Sequence, residues 1–214
     1  MEPFVVLEAV AAPLDRPSVD TDQILPARFM RRSRQEGFQH FLFRDLRFRN
    51  DGSEIPDFVL NQAPYRNARI LVADRNFGGG SSREQAPWSM TDFGIRCVIA
   101  SDFGDIFYSN APKCGLLPVT LDIDICRRLR EQLHAHPGTT LRIDLPAQAV
   151  TGPDGAIYAF TIDPFTKRRL LEGLDDIDLT LLHVATIAEF ESAYRRRFNW
   201  LFEPSKAGAP PTGG

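Results

Sequence analysis

Short apolar runs alternate along this chain with polar segments that carry helical spacing. Residues 4–12 are apolar enough for a first strand, and Pro13, Asp15 and Pro17 then break any regular element. Residues 68–73 (ARILVA), 96–101 (RCVIAS) and 116–121 are short, apolar runs that predict buried strands. Residues 102–113 read as a helix closed by Gly115, and residues 122–133 as a second, capped by Asp122 and ending before Pro137-Gly138. Residues 140–150 and 156–162 alternate on either side of Gly152-Pro153-Asp154-Gly155, a hairpin signal. Asp163-Pro164 opens a helix with proline at its favoured first position, and Lys167, Arg168 and Arg169 read as its solvated face. Residues 186–198 predict a last helix, with Arg195-Arg196-Arg197 in the final turn, where cations complement the dipole. From Glu203 onward Pro, Gly, Ala and Thr dominate, and disorder is expected. The order of elements predicts an α/β fold: a small, mostly parallel sheet flanked by helices, with the hairpin adding antiparallel strands. One domain over residues 1–202 and a disordered tail at 203–214 are expected.

The stretch on which chemistry converges is residues 74–90, DRNFGGGSSREQAPWSM. The strand at 68–73 empties into Phe77-Gly78-Gly79-Gly80, where glycines permit positive φ and let amide hydrogens turn towards a common point. Ser81 with Glu84 three residues on is a capping-box pattern for a helix start. Pro87 comes soon after, so the helix either bends there or is established only after it. A helix N-terminus carries ~0.5 of a positive charge and free N–H donors, and suits an anion or a developing oxyanion. Other glycine-turn motifs fail by letter. Arg83 stands where a dinucleotide fingerprint needs its third glycine, no Lys precedes Ser or Thr as a phosphate loop requires, and Gly80-Ser81-Ser82-Arg83-Glu84 lacks the last glycine of a nucleophile elbow. The plain alternative is an ordinary strand-to-helix turn.

The remaining candidates are polar loops. Asp20-Thr21-Asp22 reads as a loop with turn-capping aspartates, and too few oxygen ligands surround it for a metal. Arg28, Arg31, Arg32 and Arg34 cluster around residues 29–40; they are either a solvated basic loop or carboxylate clamps. Residues 41–60, rich in Phe and Arg with a turn at Asn50-Asp51-Gly52, read as scaffold. His134 and His136, two apart, share no helix face.

With 25 Lys and Arg against 28 Asp and Glu, the net charge of −3 over 214 residues lacks the basic field of a nucleic-acid binder. Cys97, Cys114 and Cys126 form no CxxC pair and no even set, which points to a reducing compartment. No apolar run approaches the ~20 residues that span a bilayer, and the first residues have no signal pattern, so the cytoplasm is expected.

Asn76-Phe77-Gly78-Gly79-Gly80-Ser81-Ser82-Arg83-Glu84, followed by Ala86-Pro87-Trp88, resembles the signature of the small subunit of 3-isopropylmalate dehydratase, a relative of the swivelling last domain of aconitase. Val19-Asp20-Thr21-Asp22-Gln23-Ile24-Leu25-Pro26, Asp57-Phe58-Val59-Leu60-Asn61, Asp105-Ile106-Phe107-Tyr108, Gly115-Leu116-Leu117-Pro118-Val119 and Phe160-Thr161-Ile162-Asp163 also resemble family segments, in the family's order, between about residues 4 and 202. The resemblance implies a swivelling β/β/α domain with a mixed sheet. It implies a hydro-lyase of leucine biosynthesis, isomerising 2-isopropylmalate to 3-isopropylmalate by dehydration to 2-isopropylmaleate and rehydration. It implies a large partner that carries a [4Fe–4S] cluster, with no metal or cofactor on this chain. By the same resemblance Ser81 is the base. Ser82 and Arg83 hold the oxyanion and a substrate carboxylate beside Gly79 and Gly80. Asp22 orients a histidine of the partner, and residues 29–37 with the loop arginines cover the dicarboxylate substrate. Gly79 stands where bacterial members commonly carry Cys, and Gln85 where the motif usually has His. These departures keep two alternatives open: a paralogue acting on another 2-alkylmalate, such as methylmalate or citraconate, and a non-catalytic partner-binding module.

Overall fold

The computed structural model describes residues 1–80 and 83–202. The chain divides into two compact units, Met1–Asp175 and Asp176–Gly214. In the first, seven strands among the described residues form one sheet in the order β4-β3-β2-β1-β5-β6-β7. They are β1 (Val6–Pro13), β2 (Ile70–Val72), β3 (Cys97–Ala100), β4 (Leu117–Thr120), β5 (Thr140–Asp144), β6 (Ala149–Thr151) and β7 (Ile157–Ala159). β1 to β4 pair in parallel, and β5, β6 and β7 add antiparallel to the other edge of β1. This is the mixed sheet the sequence predicts.

In the same unit α-helices connect and flank the strands. They are α1 (Thr21–Ile24), α2 (Arg44–Arg47), α3 (Gln85–Phe93), α4 (Asp105–Asn110), α5 (Ile123–Ala135) and α6 (Pro164–Glu172). The parallel strands are apolar throughout because both faces are covered. Leu71, Ala73, Val98 and Ala100 point into one core with Met90 and Phe107, while Ile70, Val72, Cys97 and Ile99 point into the other with Leu129 and Leu133. In β5, by contrast, buried Leu141 and Ile143 alternate with exposed Thr140 and Arg142. Pro118 is tolerated in β4 because that strand is an edge.

Three expectations change. Residues 140–150 are not one strand: β5 and β6 are separated around Pro146, which offers no ladder donor there. Asp20-Thr21-Asp22 is not a loop. Asp20 caps α1, its Oδ1 accepting from the Gln23 amide at 2.7 Å, and Asp22 sits in the first turn. Arg169 is buried rather than on a solvated face, because three consecutive helical positions sweep about 200° and cannot all face water. Lys167 reaches back to the Pro146 carbonyl at 2.8 Å, and Arg168 pairs with Glu172. The Asp122 and Asp163 caps form as the sequence predicts.

The second unit holds α7 (Asp176–Leu181) and α8 (Val184–Arg197), and no residue of either is buried. Along α8, Phe190 and Tyr194 stack at a centroid separation of 5.7 Å, Tyr194 meets Phe198, just past the helix, in a tilted contact at 4.8 Å, and the three arginines occupy the last turn. The tail expected to be disordered, 203–214, lies outside the described residues.

The two-faced sheet predicts a large cost for emptying its centre. Ile99→Ala, at a fully buried position in β3, is expected to lower unfolding free energy by about 2–5 kcal/mol, read by denaturant titration.

Candidate active site

The site is built where two parallel strands leave the sheet. Beyond the last pair of β1 and β2, Pro13 with Val72, the two chains stay hydrogen-bonded. The Leu14 amide donates to the Val72 carbonyl at 2.8 Å, Ser18 to Arg75 at 2.9 Å, Gly78 to Val19 at 2.6 Å and Thr21 to Gly79 at 2.9 Å. On the other side the Phe77 amide donates to the Asp102 carbonyl at 3.1 Å, and Gly104 donates to Phe77 at 2.9 Å. The glycine turn therefore lies between the exits of β1 and β3. Two of its amides, those of Phe77 and Gly78, are spent on this scaffold rather than turned towards a common point.

The three glycines have different reasons to be there. Gly78 has φ +73°, and a Cβ on it would stand 2.3 Å from the Phe107 ring. Gly80 has φ +95° and packs over Asp20 and Thr21. Gly79 has no positive φ, and the three atoms nearest an added Cβ all belong to the Asn76 side chain, with Oδ1 at 3.1 Å, so a small side chain asks for a slight shift of Asn76. Gly104 is a residue the sequence pattern did not single out. A Cβ there would lie 2.6 Å from the Gly78 carbonyl oxygen, and its only sequence signal is a glycine next to a strand end. Phe77 anchors the turn by edge-on contact with Phe107 at 5.3 Å and Phe103 at 6.2 Å.

The expected capping box at Ser81 does not start the helix. α3 begins at Gln85, with Glu84 at the cap position and no side-chain cap. Starting there makes Pro87 the third helical residue, where its missing N–H has no intrahelical acceptor to lose. A helix starting after Ser81 would place that proline in its interior. Ser81 and Ser82, the expected base and its neighbour, lie outside the described residues.

Asp22 and Arg83 meet, although they come from segments 61 residues apart. Arg83 grips the carboxylate with both terminal nitrogens, Nη2 donating to Oδ2 at 2.7 Å and Nη1 to Oδ1. Nη1 also donates to the Leu25 carbonyl at 3.2 Å. The Arg83 side chain is 10% exposed and Asp22 is 56% exposed, so this pair sits at the boundary between core and solvent. α1, which carries Asp22, packs on α3.

The loop arginines are mostly engaged elsewhere. Arg28 forks onto Asp45 and holds that carboxyl below its ordinary range. Arg32 pairs with Glu36. Arg34 pairs with Asp92 of α3 at 2.7 Å and lies 5.3 Å from the Trp88 ring. Arg31 is exposed and pairs with no carboxylate among the described residues. The segment itself is not unstructured: short 3₁₀ turns occupy Ala27–Phe29, Arg34–Glu36 and Phe38–His40, and Phe38 packs edge-on against Trp88.

The cysteines do not fit a cluster ligand set. Cys97 and Cys126 are buried in the core, and Cys114 donates to the Ala111 carbonyl at 3.2 Å. Burial pushes the Cys97 thiol far up and the other two up to about 11, away from the thiolate a metal needs. Among the described residues no group of three or more His, Cys, Asp or Glu could hold a metal ion. His134 pairs with Asp15 rather than with His136.

A family model described as the aconitase C-terminal domain matches residues 1–123. A model described as LeuD_N matches residues 127–164, and one described as the C-terminal domain of the 3-isopropylmalate dehydratase small subunit matches residues 176–204. The 3-isopropylmalate dehydratase small subunit of Xanthobacter autotrophicus is 52% identical over 201 residues, covering 94% of this chain and 100% of that protein. The chain belongs to the 3-isopropylmalate dehydratase small-subunit family. Family members from Azorhizobium caulinodans and Gluconacetobacter diazotrophicus are each 50% identical, again over 94% of this chain. A crystal structure of 3-isopropylmalate dehydratase from Methanocaldococcus jannaschii shares the fold, with a TM-score of 0.64 at 22% identity, covering 86% of this chain and 99% of that one. The family segments around Asp22 and Arg83 are thus the ones that the fold joins.

The glycine geometry makes a contrast that can be measured. Gly78→Ala is expected to destabilise the turn strongly, because both φ and the Phe107 ring oppose it, whereas Gly79→Ala is expected to stay within about 1 kcal/mol of wild type. Thermal unfolding of the two variants side by side checks this.

Proposed function

We propose that this chain is the small subunit of a 3-isopropylmalate dehydratase. In this reading it works only with a large subunit, and together they interconvert 2-isopropylmalate and 3-isopropylmalate through 2-isopropylmaleate in leucine biosynthesis. The observation that carries the reading is the Asp22–Arg83 fork, which joins two family motifs beside the fixed glycine turn. The names of relatives at about 50% identity over nearly the whole chain support the same activity and a large partner. They give no support to a paralogous substrate or to a non-catalytic module.

The chain's own contribution is positioning and proton transfer. Asp22 and the Leu25 carbonyl take three of the five guanidinium hydrogens of Arg83, through its two terminal nitrogens. Among the described residues no acceptor takes the Nε–H or the second hydrogen of Nη2, which lie along one edge of the planar group, and this edge fits a substrate carboxylate. Ser81 comes directly after Gly80 and is the base. Its alkoxide, which can exist only where donors stabilise it, takes the proton from the carbon next to that carboxylate and becomes the hydroxyl. Ser82 shares the holding of the oxyanion and carboxylate with Gly79 and Gly80. A [4Fe–4S] cluster on the large subunit supplies Lewis acidity to the departing hydroxyl when bound. Arg31 is the loop arginine left for substrate, since Arg28, Arg32 and Arg34 face carboxylates of their own. In this reading Asp22, more than half exposed, orients a histidine of the partner. The cytoplasm suits the reading. Among the described residues no helix is long and apolar enough to cross a membrane, and the cysteines are free.

Co-expression with a large subunit, followed by assay on 2-isopropylmalate, tests the proposal. The complex is expected to turn over, and Ser81→Ala is expected to keep fold and partner binding while losing about 10²–10⁴ in rate. Wild-type turnover by that variant would remove Ser81 from the chemistry.

A further inference from the structure

The two segments that carry Asp22 and Arg83 are held together at their roots by one side chain from across the sheet. Arg130, buried on α5, donates from Nε to Asp15 Oδ1 at 2.8 Å, from Nη1 to the Ala73 carbonyl at 2.7 Å and from Nη2 to Asp74 Oδ2 at 3.2 Å. Asp15 lies just beyond β1, on the way to Asp20 and Asp22. Ala73 and Asp74 lie just beyond β2, on the way to the glycine turn and Arg83. His134, one helical turn after Arg130, takes the other oxygen of Asp15. A cavity of about 230 Å³ opens beside this carboxylate, lined by Asp15, Arg16, Asp57 and His134 among others. Asp15 is thus held by Arg130 and His134 at a position where its side chain is 53% exposed.

We propose that Arg130 is a positioning residue for the reaction. Its fork fixes the spacing of the β1 and β2 exits and so sets the alignment of Asp22 and Arg83 at the far end of both. The physical basis is leverage. The exits are joined by single backbone hydrogen bonds at Ser18, Gly78 and Thr21. The Arg130 fork ties both of them to the rigid body of a thirteen-residue helix. A guanidinium reaches three acceptors in one plane, which a lysine ammonium on a single axis does not reproduce. A displacement of about 1 Å in a catalytic group costs on the order of a hundredfold in rate. Arg130 acts only through Asp22 and Arg83, and Arg83 is the group that holds the substrate carboxylate in this reading, so loss of Arg130 is expected to appear in kcat and in KM together.

The proposal rests on the enzymatic reading above, and its test separates the two. Amide hydrogen exchange is followed on the chain alone, and steady-state kinetics on the complex with the large subunit, for wild type, Arg130→Met, Arg130→Lys and Asp15→Asn. In Arg130→Met the amides of Ser18, Thr21 and Gly78 are expected to exchange about tenfold faster or more, with Val98 and Ile99 of β3 unchanged. The kcat is expected to fall about tenfold or more and KM to rise with it, and Arg130→Lys is expected to lie between Arg130→Met and wild type. Asp15→Asn, at a half-exposed position, is expected to fold and to move both readouts the same way by a smaller factor, and it decides the matter if Arg130→Met does not fold. Unchanged exchange at the three amides, protection lost equally throughout the sheet, or wild-type kcat in a folded variant would overturn the proposal. A wild-type complex inactive on 2-isopropylmalate would instead overturn the enzymatic reading and leave the exchange result to decide the clamp.

Discussion

Parallel pairing between β1 and β2 is the constraint that creates the site. Parallel strands leave a sheet at the same end, so the segments after them begin side by side. Here the chains do not part. They continue as a ladder of single hydrogen bonds from Leu14 to Thr21 on one side and from Val72 to Gly79 on the other. That ladder brings an aspartate motif and a glycine turn together from distant parts of the sequence. The glycines belong to the same geometry. Gly78 must pass the Phe107 ring and Gly104 must pass the Gly78 carbonyl, and neither passage leaves room for a Cβ.

Buried arginines carry much of the remaining order. Arg47 lies among Phe48 and Phe93 with its Nε on Asn61, while the Asn61 amide returns to the Arg47 carbonyl at 2.7 Å. Burial lowers the Arg47 pKa, yet a guanidinium stays charged, so each buried N–H needs an acceptor. Arg96 meets that need with the Gly115 and Glu2 carbonyls, and Arg130 with the Ala73 carbonyl and two aspartates. Such side chains tie chain segments far apart in sequence without an apolar side chain that would have to fit both. The exposed pairs on the arginine loop, such as Arg32 with Glu36, are worth little by comparison.

Features set by local chemistry were legible in the sequence. The apolar runs that became β1 to β4, the Asp122 and Asp163 caps, the Gly152–Gly155 hairpin and the glycine turn all depend on residues within a few positions of one another. The start of α3 was misplaced because a serine cap and Pro87 compete for the same turn, and the proline prevailed by sitting in the first turn. The split between β5 and β6 was masked by alternation that continues on both sides of Pro146. Partners were the least legible. Nothing near Arg34 announces Asp92, and nothing near Asp15 announces Arg130, because register across the fold sets those meetings. Family likeness pointed to Asp22 and Arg83 separately, but only the fold shows that they grip each other.

Asp22 and Arg83 are proposed to act as one unit. A double-mutant cycle on kcat/KM of the complex, using Asp22→Asn, Arg83→Lys and the pair together, addresses it directly. Strong non-additivity is expected, with a coupling of at least about 1 kcal/mol. Effects that add to within about 0.5 kcal/mol would mean that the two residues work independently, and would contradict the claim.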